Sequence, residues 1–302
     1  MYLSEFKKQA GIDLIRDGVF RSLSKIDNLN PEGENLVFLS EVSYLKKVDF
    51  EKVGSIILSK DLVNYVQEIP EKIGIAISEK PKESFYKIHK ALYEAGYYRI
   101  NLRSEISPKA SISDSAKISS QNVRIGDGTI ISEGVIIGEN VHIGKNCVIQ
   151  PGVILGFDCM EVCEIDGHQQ IIPHVGGVLI KDGAVIQSGT TIARSLFQHN
   201  WTTIGEEVII GGNVYISHGV SIGSKTKIAG GTIISGNTTI GKNCWIGPGV
   251  VISNNLKIGN NVRIIIGSVV GRDVPDNQEV SGHFAVDSKK FMRFMGKILA
   301  GY

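Results

Sequence analysis

Net charge is almost absent from this chain, and cysteine is scarce. Lys and Arg number 32 against 31 Asp and Glu in 302 residues, so there is no basic field of the kind nucleic acid requires. Four cysteines in a chain of this length do not make a disulfide framework. The opening MYLSEFKKQAGIDLI has no uninterrupted apolar stretch of the signal-peptide kind. Nor does any run of about 18 apolar residues follow, so no membrane-spanning helix is expected. These absences point to a cytoplasmic protein. Glycine, by contrast, is abundant: 35 residues, clustered after residue 125.

The glycines accompany a repeat. Isoleucine recurs every six residues from Ile204 through Ile210, Ile216, Ile222, Ile228, Ile234, Ile240, Ile246, Ile252 and Ile258 to Ile264. Four residues after each comes a smaller buried-type side chain, among them Val208, Val214, Val220, Thr226, Thr232, Thr238, Cys244 and Val250. Earlier blocks keep the step at Ile125, Ile131, Ile137, Ile143, Ile149 and Leu155, and at Ile180, Ile186 and Ile192. A period of six fits neither an α-helix nor a simple strand. It is the signature of a parallel β-helix in which three hexads make one triangular coil. Gly, Asn or Asp at the corners would accept left-handed backbone angles. Residues 18 apart would stack about 4.8 Å from each other, and roughly eight coils would make a prism on the order of 40 Å long.

Two stretches interrupt the prism expected over residues 104–275. One, at 156–177, breaks phase and reads as an extruded loop. The other, 193–202, keeps phase by placing Gln198 at an aliphatic position. Residues 1–103 differ in character. SEFKKQAGIDLIRD and KESFYKIHKALYEAG show helical spacing, whereas ENLVFLS, GSIILS and IGIAIS read as short buried strands, so a small α/β domain is expected. Residues 276–302 form a tail in which SKKFMRFMGKILAGY reads as one amphipathic helix.

His218 stands out at a position where neighbouring repeats carry small or polar residues. Its column of eighteens holds Asn200, Gly236 and Asn254. Imidazole titrates near neutrality and suits a general base. A glycine one coil away can offer an unobstructed N–H to an oxyanion. Together they suffice for acyl transfer from a thioester without a protein nucleophile. The blander alternative is a solvated histidine on a solenoid wall. His199 and Asn200, in the irregular stretch near this column, could line a substrate groove, and His142 is expected at the surface. His168 and His174 share a loop with Cys159 and Cys163, but the spacing matches no usual zinc pattern. His218 also lacks partner histidines at neighbouring repeats, so no metal site is expected.

With these segments identified, the chain resembles the UDP-3-O-(3-hydroxyacyl)glucosamine N-acyltransferases of lipid A biosynthesis over nearly its whole length. NVYISHGVSIG is similar to that family's active-site segment, which implies His218 as general base and Gly236 as oxyanion donor. DGHQQIIPHVGGVLI resembles the family's Ile-Pro-x-Ile-Gly loop and brings in His174. ENLVFLSEVSYLKKV resembles the uridine-binding stretch, with Phe38 stacking on uracil and Tyr44 a second contact. Asn255 stands where the family has a second histidine, so His174, His199, Asn200, Asn254 and Asn255 are the further substrate-facing candidates. The resemblance implies a fold that is mainly β: a left-handed parallel β-helix of hexapeptide repeats, with an N-terminal α/β domain and a short C-terminal helix. It also implies a homotrimer, a UDP-sugar substrate, and an acyl group delivered on the phosphopantetheine of acyl carrier protein, with no tightly bound cofactor.

The chain departs from the family pattern at Glu41-Val42, which replace Asn-Pro, and at Ala193-Arg194-Ser195, which replace Asp-Arg-Gly. It also departs at Ser281-Gly282-His283-Phe284, and in having one terminal helix where two are usual. These differences suit the same chemistry on a different sugar or acyl chain. Two other functions remain open from sequence: an acetyl-coenzyme A-dependent nucleotide-sugar acetyltransferase, and a non-catalytic trimeric scaffold or sugar-binding module.

Overall fold

A computed structural model describes residues 1–282 and 287–300. His283 and Phe284, within one of the divergent motifs above, lie outside the described residues.

The hexads fold as their spacing requires. Strands of mostly two residues end on the repeating isoleucine, which is buried, while the residue before it faces outward. They stack in parallel into three sheets of nine, eight and eight strands. Ile216 pairs with Ile234 and Ile234 with Ile252, each 18 residues on. Buried threonines in the second series stay satisfied: the Thr226 hydroxyl donates to Gly241 O at 2.8 Å and accepts from the Cys244 N–H at 3.0 Å. Cys147 and Cys244 are free thiols in the core. Asparagine fills many of the left-handed corners, as at Asn213, Asn237, Asn243, Asn255 and Asn261, with φ of 54–59°.

The stretch 193–202 corrects the expected register. Ile192 pairs with Ile216, Ile186 with Ile210 and Ile180 with Ile204, each 24 residues apart rather than 18. One whole hexad is therefore looped out, and phase survives because the insertion is as long as the period. Gln198 is exposed and holds no core position. Counting from Ile192 and Ile216, the position beneath His218 belongs to Arg194, not Asn200. The first loop carries a hairpin, Val162–Ile165 against His168–Ile171, and leaves the prism.

The N-terminal region is a five-stranded sheet of strands β1 (Asp13–Arg16), β2 (Ser22–Leu23), β3 (Asn35–Leu39), β4 (Val53–Ser59) and β5 (Gly74–Ser78). Their order is β1-β5-β4-β3-β2, with only β1 antiparallel to its neighbour. SEFKKQAGIDLIRD is helical only to Ala10; Gly11 turns with φ 62° and the rest becomes β1. Alternation divides the sheet into two faces. Val37, Leu39, Ile56, Leu58 and Ile75 meet the 3-10 turns of Lys60–Glu68, whereas Leu36, Ile57 and Ala76 meet the helix Pro81–Glu94.

Both loops of the prism join that second core through Cys163, Ile165, Ile172, Leu196 and Phe197. Polar ties reinforce the junction. Lys87 pairs with Asp166 at 2.6 Å, the Asp166 N–H donates to Glu83 at 3.0 Å, and the His89 Nε2–H donates to Pro173 O at 2.8 Å. The helix thereby fixes where the hairpin loop returns to the prism wall. The tail helix, Ser288–Ala300, buries no residue and exposes Met292, Phe294 and Leu299.

Candidate active site

His218 occupies a corner between two sheets, after the strand Tyr215–Ile216 and before Ser221–Ile222. Gly219 follows with φ 67°, in the left-handed region that favours glycine, and a Cβ there would press on the Asn237 side-chain amide. Gly236 lies one coil on, and a Cβ at that position would be 2.8 Å from both Cε1 and Nε2 of His218. The imidazole therefore lies directly against the Gly236 backbone. The Gly236 N–H has no hydrogen-bond partner among the described residues.

The wall position expected to face solvent is covered. His218 is only 7% exposed, and the returning loop lies over it. Its Nδ1 is 3.0 Å from Cys159 Sγ and 3.4 Å from Ser217 Oγ. With the proton on Nδ1, that nitrogen donates to the sulfur and leaves Nε2 free to accept. The rings of His174 and His218 meet edge to face with centroids 5.3 Å apart. Glu161 Oε2 lies 3.8 Å from His218 Nε2, and Tyr86 OH donates to Glu161 Oε1 at 2.7 Å.

These neighbours set the charge states. Burial, and then His174, push His218 down to about 4 against the opposing pull of Glu161, so the ring is neutral near pH 7. Burial likewise lowers His174. Burial alone would raise Glu161, but Lys25, the Tyr86 hydroxyl and His218 outweigh it and hold the carboxyl below its ordinary value.

Other candidates fall into two adjoining cavities. A cavity of about 500 Å³ is lined by His199, Asn200, Trp201, Gly219, Asn237 and Asn255. A second, of about 350 Å³, is lined by Phe38, Tyr44, Lys47 and, shared with the first, Lys25, Asp27 and Asn255. His199 donates from Nε2 to Asn28 O at 3.2 Å, while its buried Nδ1 has no partner among the described residues. Asn254 is exposed, and neither cavity includes it. His174 is fully buried against Cys159 rather than lining either cavity. His142 is half-buried against Trp201, centroids 4.9 Å apart.

Sequence spacing missed most of the groups around the imidazole. Arg194, with its side chain 12% exposed, pairs with Asp158 at 2.7 Å and Glu139 at 2.8 Å, and Asp158 accepts the His174 N–H at 3.2 Å. Of the residues considered for zinc, His168 is exposed on the hairpin and Cys163 faces the helix-side core. His218 does have a partner histidine after all. Cys159, His174 and His218 place three donor atoms within 4.8 Å of one another.

Comparison with known proteins agrees with this architecture. A family model described as bacterial transferase hexapeptide (six repeats) matches residues 122–157, and one described as GMPPB C-terminal domain matches residues 192–289. The UDP-N-acetylglucosamine acyltransferase from Campylobacter jejuni superposes with a TM-score of 0.50 at 20% identity, covering 65% of this chain and 81% of that one, which shows the shared fold. The UDP-3-O-acylglucosamine N-acyltransferase of Lawsonia intracellularis (strain PHE/MN1-00) is 40% identical over 318 aligned residues, 96% of this chain and 90% of its own length. On that similarity, the chain belongs to the UDP-3-O-acylglucosamine N-acyltransferase family.

Proposed function

We propose that this protein transfers a (3-hydroxy)acyl group from a phosphopantetheine thioester to the amine of a UDP-linked amino sugar. The observation that carries the proposal is the His218 ring set against Gly236, where a Cβ would stand 2.8 Å from Nε2, with the adjacent residues Gly219 and Asn237 lining the first of two cavities that share Lys25, Asp27 and Asn255. The amine attacks the thioester carbonyl while His218 Nε2 takes its proton. The Gly236 N–H is the donor for the resulting oxyanion. Collapse breaks the carbon–sulfur bond, and the departing thiolate recovers the proton from the imidazolium. Phe38 and Tyr44 line the cavity in which a uracil ring could stack, with Lys25 and Lys47 at its edge for the diphosphate.

Acyl carrier protein is the proposed donor and the cytoplasm the proposed location; no helix among the described residues is long and apolar enough to cross a membrane. A homotrimer is proposed on the family resemblance; outward-facing Ile130, Ile209 and Trp245 on one sheet and Ile233 on another, each 41–45% exposed, are apolar side chains available to such a contact. Large apolar side chains on a rigid wall favour prism-to-prism packing.

The test supplies UDP-3-O-acylglucosamine with either 3-hydroxyacyl carrier protein or acetyl-coenzyme A and reads product mass. Wild type should add the hydroxyacyl mass, and His218→Ala should be slower by about 100- to 10,000-fold. Acetyl transfer alone would identify the nucleotide-sugar acetyltransferase instead. One observation favours the non-catalytic module, namely the loop covering His218. Undiminished transfer in His218→Ala would remove its role, and no transfer with either donor would overturn this substrate assignment and bring forward an unlike sugar or the binding module.

A further inference from the structure

Around His218 the loop and the prism corner gather soft donors for which proton transfer has no use. Cys159 Sγ lies 3.0 Å from His218 Nδ1 and 3.4 Å from His174 Nε2, and all three atoms fit within 4.8 Å. Tetrahedral zinc, with bonds of about 2.3 Å to sulfur and 2.0–2.1 Å to nitrogen, separates sulfur from nitrogen by about 3.6 Å and nitrogen from nitrogen by about 3.4 Å. The two sulfur–nitrogen separations, 3.0 and 3.4 Å, are thus close to what such an ion demands, and the third side lies below 4.8 Å. Ser217 Oγ, 3.4 Å from both the sulfur and His218 Nδ1, borders the fourth position.

The second, independent sign is what stands behind each imidazole. His174 donates from Nδ1 to Ile172 O at 3.1 Å, which leaves its Nε2 lone pair turned towards Cys159. His218 has Glu161 on the side away from the sulfur, and Tyr86 fixes that carboxylate. The Ile172 carbonyl hydrogen-bonded behind His174 is the outer partner that metal-binding histidines characteristically have, and the Glu161 carboxylate, 3.8 Å from His218 Nε2, lies within ion-pair reach of the other ring.

We propose that Cys159, His174 and His218 bind a zinc-class divalent cation, and that occupation switches the transfer site off. The second half rests on the assignment of His218 as base. A cation held by Nδ1 leaves the imidazole proton on Nε2, the atom that would have to accept the proton of the amine. Binding releases the Cys159 thiol proton to solvent. Two ligands come from the loop and one from the prism, so the cation also pins the loop over the wall.

Cobalt(II) is the probe, added to the full chain after chelator stripping under a reductant. One equivalent is expected to produce thiolate-to-cobalt charge transfer in the near ultraviolet and tetrahedral bands in the visible, both erased by one equivalent of zinc. Cys159→Ser should lose the charge-transfer band, whereas Cys163→Ser, altered in the neighbouring core, should keep it. Glu161→Gln keeps all three ligands and should weaken binding about 10- to 100-fold. Absence of tetrahedral bands, or their persistence unchanged in Cys159→Ser, overturns the metal site and leaves the acyltransferase assignment standing. Zinc loading should slow acyl transfer by about 100-fold or more, as loss of the base would. Cobalt bound as described but with equal rates in stripped and loaded enzyme overturns the switch, while His218 as base is read separately from the rate of His218→Ala in the stripped enzyme.

Discussion

Replacing Gly236 by alanine separates chemistry from folding in a single substitution. The new methyl would stand 2.8 Å from Cε1 and Nε2 of His218 and 3.3 Å from Cδ2. Relaxed contacts are about 3.5–4.0 Å, so the ring must retreat by roughly 0.7–1 Å. It cannot retreat freely, because Cys159 Sγ and the His174 ring lie against it. A misplacement of about 1 Å in a reacting group costs on the order of 100-fold in rate. The backbone accepts the change, since Gly236 is outside the left-handed region. Alanine's smaller unfolded-state entropy contributes about 0.4–1 kcal/mol in favour of the fold, which offsets part of the clash. Overpacking of this kind costs about 1–3 kcal/mol, so unfolding in urea should show a net loss of no more than about 2.5 kcal/mol, while kcat for transfer falls about 100-fold. A folded variant with wild-type kcat would refute proton acceptance at Nε2 beside this glycine.

Three further substitutions or conditions test the scaffold. Arg194→Ala leaves Asp158 and Glu139 unpaired; with those carboxylates 35% and 43% exposed, the cost falls between buried and surface values, about 2 kcal/mol by urea unfolding. Ile228→Ala opens a cavity in the prism core and should cost about 2–5 kcal/mol; a smaller loss would mean that adjacent coils collapse into the gap. His89, fully buried between Tyr98 and Pro173, is pushed by burial down to about 4 from 6.5. Below pH 6.5 the unfolded chain binds this proton more readily, so about 3 kcal/mol of stability present above that pH should drain away as pH falls towards 4. His89→Gln should be less stable at pH 7.5 yet lose less on acidification, and equal losses in both proteins would exclude His89 as the titrating group.

Much of the fold was legible in the residues themselves. Each hexad repeats its own burial instruction, and three strands of the N-terminal sheet announce themselves as apolar runs between turn residues. Gly11 marks a limit of such reading, because apolar spacing continued through it while the backbone turned from helix to strand. His218 and Gly236 were also legible as a pair, since their separation is one coil and no insertion falls between them.

The sequence alone determined the six-residue period, the parallel stacking that follows from it, and the imidazole next to a glycine. Only the tertiary structure decided what surrounds that imidazole. A looped-out hexad leaves no trace in a six-residue period, so Arg194 took the place beneath His218 that counting had assigned to Asn200. Cys159, Glu161 and His174 arrive from a loop anchored on the helix Pro81–Glu94, 44 to 59 residues from His218 along the chain. Burial is written locally at every residue of a repeat. The return path of a loop depends on contacts that close only when distant cores pack together, and no periodic pattern records them.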